Sequence, residues 1–328
     1  MPRTVTYIQA LHEAIDEEMA RDERVFVMGE DVQVGTFGVT TGLLDKYGAE
    51  RLRNTPIAEA GFVGAGLGAA IAGSRPIVEV EFASMVYMCF DQLVNQIAKT
   101  RYMSGNQVSA PLTIRTAVAM GLSAGAQHSD TPHALFMHMP GLKVVVPSGP
   151  REAKGLLKTA IRDDDPVIFL ENMVLATTKG EIPDEEELIP FGEANLLREG
   201  DDLTIVALGS GVPPALQAAD RLIAEGVSVE VLDPRSIVPM DWRSLFASAR
   251  KTGRVVVVDD ATPHCSFASE TAAAVAEYCF DDLKAPPRRV TRENTPVPFS
   301  PPLEKYILIN DEKVEAACRA VLSLERAR

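Results

Sequence analysis

The sequence has no excess of basic residues, and this absence excludes several classes of partner. Its 328 residues include 32 basic and 46 acidic side chains, so the formal net charge is −14. The phosphate backbone of nucleic acid and an anionic membrane surface both attract basic faces, and we therefore expect neither as a partner. The chain also carries no bulk charge that would neutralise a phosphorylated ligand.

Paired cysteines, long apolar runs and common hydrolase motifs are also missing. None of the four cysteines is spaced as CxxC, which argues against a zinc cluster or a thioredoxin-like redox site. No run of 18 apolar residues is present, and the amino-terminal sequence has no apolar core typical of a signal peptide. GxSxG and HExxH do not occur, so a hydrolase hypothesis has no motif to support it. We predict a cytoplasmic globular protein with reduced thiols.

Short apolar runs alternate with helical patterns along the first half of the chain. Strands are predicted at 25–28, 76–82, 112–118, 143–146 and 167–170. Helices are predicted at 6–22, 61–73, 85–102 and 150–161. Alternating strands and helices predict an α/β fold with a mainly parallel sheet.

The stretch 177–190 interrupts this alternation with two prolines and a block of acids, and it predicts an exposed linker. Beyond it the alternation resumes, with strands predicted at 203–208, 227–232 and 255–258 and helices at 213–225, 241–250, 266–280 and 311–324. At about 150 residues per domain, the length also favours two domains. We predict an α/β domain at 1–180, a linker at 181–195 and a second α/β domain at 196–328.

A glycine-rich segment offers the first candidate site. Gly64, Gly66 and Ala69 match a loose GxGxxA pattern, which in dinucleotide-binding proteins cradles a pyrophosphate at the start of a helix. The pattern does not follow a clear strand here, and a single such motif is weak. Close packing of a helix through its glycines is the alternative.

Glu59 precedes this segment in apolar surroundings. A carboxylate there is costly to bury unless it has a partner, and such a setting suits a glutamate that exchanges a proton with a ring nitrogen. The alternative is a first-turn glutamate that complements the helix dipole.

His128 lies in a long segment of small and polar residues that follows a predicted strand. Loops after strands of α/β sheets commonly build sites, and histidine transfers protons near neutral pH. His133 and His138 follow without a carboxylate at metal-ligand spacing, so we expect no zinc site. From these residues alone, a catalytic and a structural role for His128 are equally open.

Several long motifs occur together in one order along the chain. They are VMGEDV at 27–32, TPIAEAGFVGAGLGAA at 55–70, FDQLVNQIAKTRYMSG at 90–105, AQHSD at 126–130, PGLKVVVPSGPREAKGLLKTAIRDDDPVIFLEN at 140–172, LDPRSIVPMD at 232–241, FASE at 267–270 and TPVPFSPPLE at 295–304. Over its whole length the chain resembles the beta subunit of the thiamine-diphosphate-dependent decarboxylating component of 2-oxo acid dehydrogenase complexes.

This resemblance implies a pyrimidine-binding thiamine diphosphate domain followed by a transketolase C-terminal-like domain. It implies that Glu59 hydrogen-bonds a nitrogen of the aminopyrimidine ring, with Ile57, Met85 and Tyr87 also at the cofactor. Relatives usually have an aromatic residue at the position of Met85, which is apolar and adaptable but offers no ring for stacking. His128 matches a histidine near the reactive centre, a candidate proton donor when the acyl group passes to a lipoyl group.

The resemblance also explains a missing motif. Thiamine enzymes hold the diphosphate through Mg²⁺ at a Gly-Asp-Gly motif, which this chain does not contain. In this family the alpha subunit supplies that motif, so the resemblance implies a shared site, a two-alpha two-beta heterotetramer and a lipoyl-bearing acyltransferase as further partner. It also implies a structural K⁺ on oxygens, largely of the backbone, at Leu112, Ala160, Ile161, Asp163 and Asp165.

The substrate stays open between pyruvate, a branched-chain 2-oxo acid and acetoin. Two other functions are alternatives: the C-terminal half of a split transketolase, and a nucleotide-binding electron-transfer subunit that would use the segment Gly64–Ala69. A non-catalytic chain that completes the fold of a partner is a third possibility.

Overall fold

The computed structural model describes residues 2–324, and the chain divides into two compact units between Phe191 and Gly192. No helix among these residues is both long enough and apolar enough to cross a membrane. All four cysteines are free thiols, and three of them are buried.

Among the described residues, the first unit contains eight strands and six α-helices. The strands are β1 (Arg3–Thr6), β2 (Val25–Gly29), β3 (Leu52–Asn54), β4 (Arg75–Phe82), β5 (Thr113–Val118), β6 (Lys143–Val145), β7 (Val167–Asn172) and β8 (Lys179–Ile182). The helices are α1 (Tyr7–Arg21), α2 (Leu43–Tyr47), α3 (Glu59–Ile71), α4 (Thr100–Met103), α5 (His133–Met137) and α6 (Pro150–Arg162).

Six strands of the first unit lie in the order β6-β7-β5-β4-β2-β3, and every neighbouring pair is parallel. The predicted α/β architecture with a parallel sheet is thus confirmed. Helix α1 begins with a capping box, in which Thr6 and Gln9 satisfy one another's backbone N–H groups. Its side chains Leu11 and Ile15 are fully buried in the cluster that also contains Leu156 and Leu157 of α6.

The second unit holds strands β9 (Asn195–Arg198), β10 (Leu203–Ala207), β11 (Val229–Asp233), β12 (Ser236–Val238), β13 (Val255–Val258) and β14 (Arg288–Val290). Its helices are α7 (Val212–Ala224), α8 (Trp242–Thr252), α9 (Phe267–Tyr278), α10 (Pro301–Ile307) and α11 (Asp311–Leu322). Five of the strands form a sheet in the order β14-β13-β10-β11-β9, where β9 alone runs antiparallel to its neighbour. A core of valine, leucine and alanine packs α7 and α11 against this sheet.

The segment that the sequence predicts as one helix at 85–102 is not one α-helix. A 3₁₀ helix at Ala83–Cys89 is followed by a π-helical turn at Gln92–Ile97 and then by α4. Ala83, Val86 and Cys89 are all fully buried, and their spacing of three matches the three residues per turn of a 3₁₀ helix. The predicted single α-helix is therefore wrong, because successive turns of the segment have 3₁₀, π and α geometry.

The stretch 177–190 is less exposed than the sequence predicts. Residues 179–182 form β8, which pairs antiparallel with β1, and the Ile182 side chain is 1% exposed. Ile189 packs against Gly155, where an added Cβ would lie 2.6 Å from the isoleucine Cγ1. The expected exposure is therefore wrong for Ile182 and Ile189, whereas Leu188 is exposed. Glu187 of the acidic block pairs with Arg151 on α6. The division between Phe191 and Gly192 falls within the predicted linker at 181–195.

Candidate functional site

Four neighbouring strands of the first unit end at a common edge of the sheet. In the spatial order β5-β4-β2-β3, the chain carries His128 after β5, Phe82 at the end of β4, Glu30 after β2 and Glu59 after β3. The carboxyl ends of parallel strands meet at the same edge, which is where α/β proteins build their sites. The structure thus places the two residues predicted as catalytic, Glu59 and His128, at one edge of one sheet.

Glu59 is the first residue of α3, and only 7% of it is exposed. The preceding residue is Ala58, whose side chain makes no capping hydrogen bond to the free N–H groups of the helix. The positive end of the helix dipole stabilises a carboxylate at this point. A carboxyl group held here can exchange a proton with a ring nitrogen that enters from the edge of the sheet.

Further acids surround Glu59. The pKa of Glu30, which is 9% exposed, is raised mainly by burial and to a smaller extent by the negative charges of Glu59 and Glu81. Its Oε1 atom is buried without a hydrogen-bond partner among residues 2–324. Burial, followed by the charge of Glu59, raises the pKa of the Cys89 thiol to about 12, so this thiol stays protonated and is no nucleophile. Burial and neighbouring negative charge therefore disfavour the ionised form of Glu30.

His128 ends a short 3₁₀ turn at Ala126–His128, in the loop after β5. Its ring stacks on Phe82, with ring centroids 4.3 Å apart and an angle of 25° between the planes. The Ser84 hydroxyl donates to the carbonyl oxygen of Gln127, and the Tyr87 hydroxyl donates to Asp130 Oδ2 at 3.2 Å. Side chains at the end of β4 and in the following 3₁₀ helix therefore hold the loop that carries His128.

The three other residues predicted at the cofactor lie in the segments that follow β3 and β4. Ile57 is 83% exposed, Tyr87 is 44% exposed, and Met85 is half-buried. Helix α3, which begins at Glu59, packs against the 3₁₀ helix that contains Met85 and Tyr87. The partial exposure of Met85 and Tyr87, on an element that contacts α3, leaves apolar side-chain surface that suits the flat face of a ring.

The predicted potassium positions come together at the opposite edge of the sheet. The carbonyl oxygen of Leu112 accepts the Val167 N–H at 3.1 Å, so the start of β5 lies beside the turn at 160–166. In that turn, the Arg75 guanidinium donates to the carbonyl oxygens of Ile161 and Asp163 at 3.2 and 2.9 Å.

The acids of the same turn contact a second basic side chain. The ammonium group of Lys143 lies 2.7 Å from each carboxylate oxygen of Asp163 and 3.2 Å from Asp165 Oδ2. The Ala160 carbonyl oxygen accepts the Asp163 N–H at 3.3 Å. Oxygen donors of this kind suit a hard cation, and each carbonyl oxygen keeps a second lone pair that could serve one.

The dinucleotide hypothesis is wrong, because Gly64, Gly66 and Ala69 lie inside α3 rather than at its start. The backbone N–H groups of a helix interior are already bonded within the helix and cannot cradle a phosphate. A Cβ at Gly66 would lie 2.6 Å from Val78 Cγ2, so this glycine allows the helix to approach β4 closely.

Sequence reasoning missed Glu30, Glu81 and Phe82 as members of this site. Each stands at or just beyond the carboxyl end of a predicted strand, and that position was the available signal. Burial, followed by the charges of Asp31 and Glu79, raises the pKa of Glu81, whereas His128 acts in the opposite direction.

Comparisons with known proteins agree with this architecture. Residues 3–177 match the family model "Transketolase, pyrimidine binding domain", and residues 192–314 match "Transketolase, C-terminal domain". A solved structure titled as a split gene transketolase in an inactive beta4 tetramer superposes with a TM-score of 0.82. The two sequences are 26% identical, and the match covers 98% of this chain and 100% of that one.

Three curated relatives are more similar in sequence. The beta subunit of acetoin:2,6-dichlorophenolindophenol oxidoreductase from Bacillus subtilis is 45% identical, over 96% of both chains. The 2-oxoisovalerate dehydrogenase subunit beta of the same organism is 44% identical, over 96% of this chain and 98% of that one. The pyruvate dehydrogenase E1 component subunit beta of Rhizobium meliloti is 44% identical, over 97% of this chain and 70% of that one. Because the fold, the two domain families and these relatives all agree, the chain belongs to the family of beta subunits of pyruvate, branched-chain and acetoin dehydrogenases.

Proposed function

We propose that this chain works with an alpha subunit as the thiamine-diphosphate-dependent component of a 2-oxo acid or acetoin dehydrogenase. The observation that carries the proposal is the buried Glu59 at the start of α3, at the sheet edge that also holds His128. When bound, thiamine diphosphate supplies the electron sink for cleavage of a bond next to a carbonyl group. The relatives are named for pyruvate, 2-oxoisovalerate and acetoin, and these are the three candidate substrates.

Within this proposal, each residue at the edge has a separate task. Glu59 accepts or donates a proton at a nitrogen of the aminopyrimidine ring, while Ile57, Met85 and Tyr87 contact the ring system of the cofactor. His128 donates a proton when the acyl group passes to a lipoyl group. Burial of Glu59 and the neighbouring acids supports the first assignment, because a low-dielectric site strengthens such a hydrogen bond.

The missing Gly-Asp-Gly motif and the acidic net charge support a shared site. We place Mg²⁺ and the diphosphate on the alpha subunit, in a two-alpha two-beta heterotetramer that delivers its acyl group to a lipoyl-bearing acyltransferase.

We further propose a cytoplasmic location, domains at 1–180 and 196–328 joined at 181–195, and a structural K⁺ at the turn 160–165 beside Leu112. Exchange of K⁺ for Na⁺ should then lower the thermal stability of the heterotetramer, and equal stability in both salts would contradict the potassium assignment.

Reconstitution tests the function directly. We expect the chain, mixed with its alpha subunit, thiamine diphosphate and Mg²⁺, to support dye reduction with one of the three candidate substrates. The chain alone should be inactive. Ketol transfer between sugar phosphates, without activity on any of the three substrates, would instead favour the split transketolase.

The role of Glu59 is tested by Glu59→Gln, which keeps the size of the side chain and removes its charge. We expect assembly to be unchanged and proton exchange at the thiazolium carbon of the cofactor to be nearly abolished. Glu50→Gln is the matched control, because Glu50 is exposed and lies away from this edge in the turn before β3. An unchanged exchange rate in Glu59→Gln would contradict the assignment.

The role of His128 is tested by His128→Ala, with His138→Ala as the matched control on an exposed histidine. We expect His128→Ala to lower acyl transfer to a lipoyl domain more than it lowers decarboxylation, by about 10²-fold or more for loss of a general acid. Equal losses in both half-reactions would refute this role.

A further inference from the structure

Three aromatic rings form a continuous contact across three neighbouring strands. Phe82 ends β4, the middle strand, and the loops that follow the flanking strands β2 and β5 carry Phe37 and His128. The rings of Phe37 and Phe82 meet edge to face, with centroids 5.4 Å apart and an angle of 80° between the planes. The His128 ring instead stacks on Phe82, with centroids 4.3 Å apart and an angle of 25°. Both geometries are among those that aromatic pairs prefer. The strand order thus places Phe82 between the other two rings.

The backbone around His128 is held by other contacts. Its N–H donates to the Gly125 carbonyl oxygen at 3.3 Å, and its own carbonyl oxygen accepts the Ala119 N–H at 3.3 Å. The Ser84 hydroxyl holds the carbonyl oxygen of the preceding Gln127. These bonds fix the position of the residue but leave the two side-chain torsions of the imidazole free to turn.

Stacking on Phe82 restricts the side-chain torsions of His128. A ring that lies flat on a phenyl face at 4.3 Å loses that contact when it rotates about its Cβ–Cγ bond. Phe82 is itself supported by the edge of Phe37. Both phenyl rings and the imidazole are only partly buried, so dense packing on all sides does not hold the imidazole instead.

We infer that Phe82 is a positioning residue for His128 and that Phe37 supports it from the opposite flank. Phe82 keeps the imidazole in the plane from which it donates its proton during acyl transfer to the lipoyl group. This inference rests on the proposed role of His128, and its test separates the two. Aromatic residues at 82 should preserve the function, whereas apolar residues of similar size should not.

The experiment compares Phe82→Leu, Phe82→Met, Phe82→Tyr and Phe37→Leu in the assembled enzyme with its alpha subunit. Phe90→Leu is the matched control, since Phe90 has its own aromatic contact with Phe136, at 6.2 Å, and none with His128. Acyl transfer to a free lipoyl domain is measured by mass spectrometry. Reduction of 2,6-dichlorophenolindophenol reports the earlier steps, and thermal unfolding reports the fold.

We expect Phe82→Leu and Phe82→Met to lower the ratio of acyl transfer to dye reduction about 3- to 10-fold, the range that loss of an aromatic pair predicts. The loss should fall on kcat rather than on KM for the lipoyl domain, because Phe82 orients His128 and does not bind the domain. Phe82→Tyr should restore the ratio, Phe37→Leu should give a smaller loss, and Phe90→Leu should leave the ratio unchanged.

Three results would overturn the inference. One is a ratio within twofold of the wild type in Phe82→Leu and Phe82→Met while His128→Ala lowers it. Another is an equal loss in Phe82→Tyr and Phe82→Leu at unchanged thermal stability, because a stacking role requires rescue by the aromatic ring. A normal ratio in His128→Ala would remove the proposed role of the histidine, and the inference would fall with it.

Discussion

Replacing Gly66 by alanine should destabilise the first unit, whereas the same change at Gly68 should stabilise it. Both glycines lie inside α3, where alanine is favoured over glycine by about 1 kcal/mol. At Gly68 an added Cβ meets nothing within 4 Å. The comparison of the two variants therefore cancels the helix propensity and isolates the packing of the added methyl group.

The packing term follows from the contacts of the new methyl group. At Gly66 it would lie 2.6 Å from Val78 Cγ2 and 3.6 Å from Leu112 Cδ1, and both of these side chains are buried. A β-branched valine has few alternative rotamers, so relief requires a shift of α3 away from β4. Overpacking of this kind costs about 1–3 kcal/mol, and we expect Gly66→Ala to be less stable than Gly68→Ala by that amount.

Urea unfolding followed by far-ultraviolet circular dichroism measures the difference. Gly64→Ala should behave like Gly68→Ala, because its new methyl group would be at an ordinary 3.7 Å from Gln92 Cγ. Gly66→Ala with a stability equal to that of Gly68→Ala would refute the close-packing explanation of this glycine.

Two further predictions concern charges of the first unit. Arg115 is 2% exposed and donates to Glu171 at 2.6 and 2.9 Å and to Glu79 at 2.6 Å. Glu171→Leu removes one of these two partners of the buried guanidinium. We therefore expect it to lower the free energy of unfolding, measured in urea, by about 3–5 kcal/mol. A loss below about 1 kcal/mol would contradict this. A hydrogen bond from the Arg24 guanidinium lowers the pKa of Asp22 to about 2 in the folded chain, from about 4 in the unfolded chain. The stability that this carboxylate contributes is therefore fully present above a pH of about 4 and is lost as the pH falls towards about 2. Asp22→Asn should therefore flatten the dependence of stability on pH between about 4 and 2, and an unchanged slope in acid titrations would count against it.

The sequence predicted the elements that depend on local pattern. Residues Ile8, Leu11, Ile15 and Met19 keep a helical spacing, and α1 buries them wholly or partly against α6. Local pattern failed at 83–103, where contacts with the core impose a 3₁₀ and a π-helical geometry. It failed again at 179–182, whose polar residues pair with β1, because a strand partner more than 170 residues away leaves no trace in the local composition.

The candidate site divides in the same way. By itself, the sequence determined that the chain has two α/β domains, lacks the Gly-Asp-Gly motif and carries Glu59 and His128 in segments that follow strands. Only the tertiary structure decided that Glu30, Glu81 and Phe82 join them, and that Gly66 lets α3 pack closely against β4. The physical reason is that hydrophobic periodicity acts over one or two turns, whereas the stack of His128 on Phe82 depends on the order of β4 and β5 in the sheet.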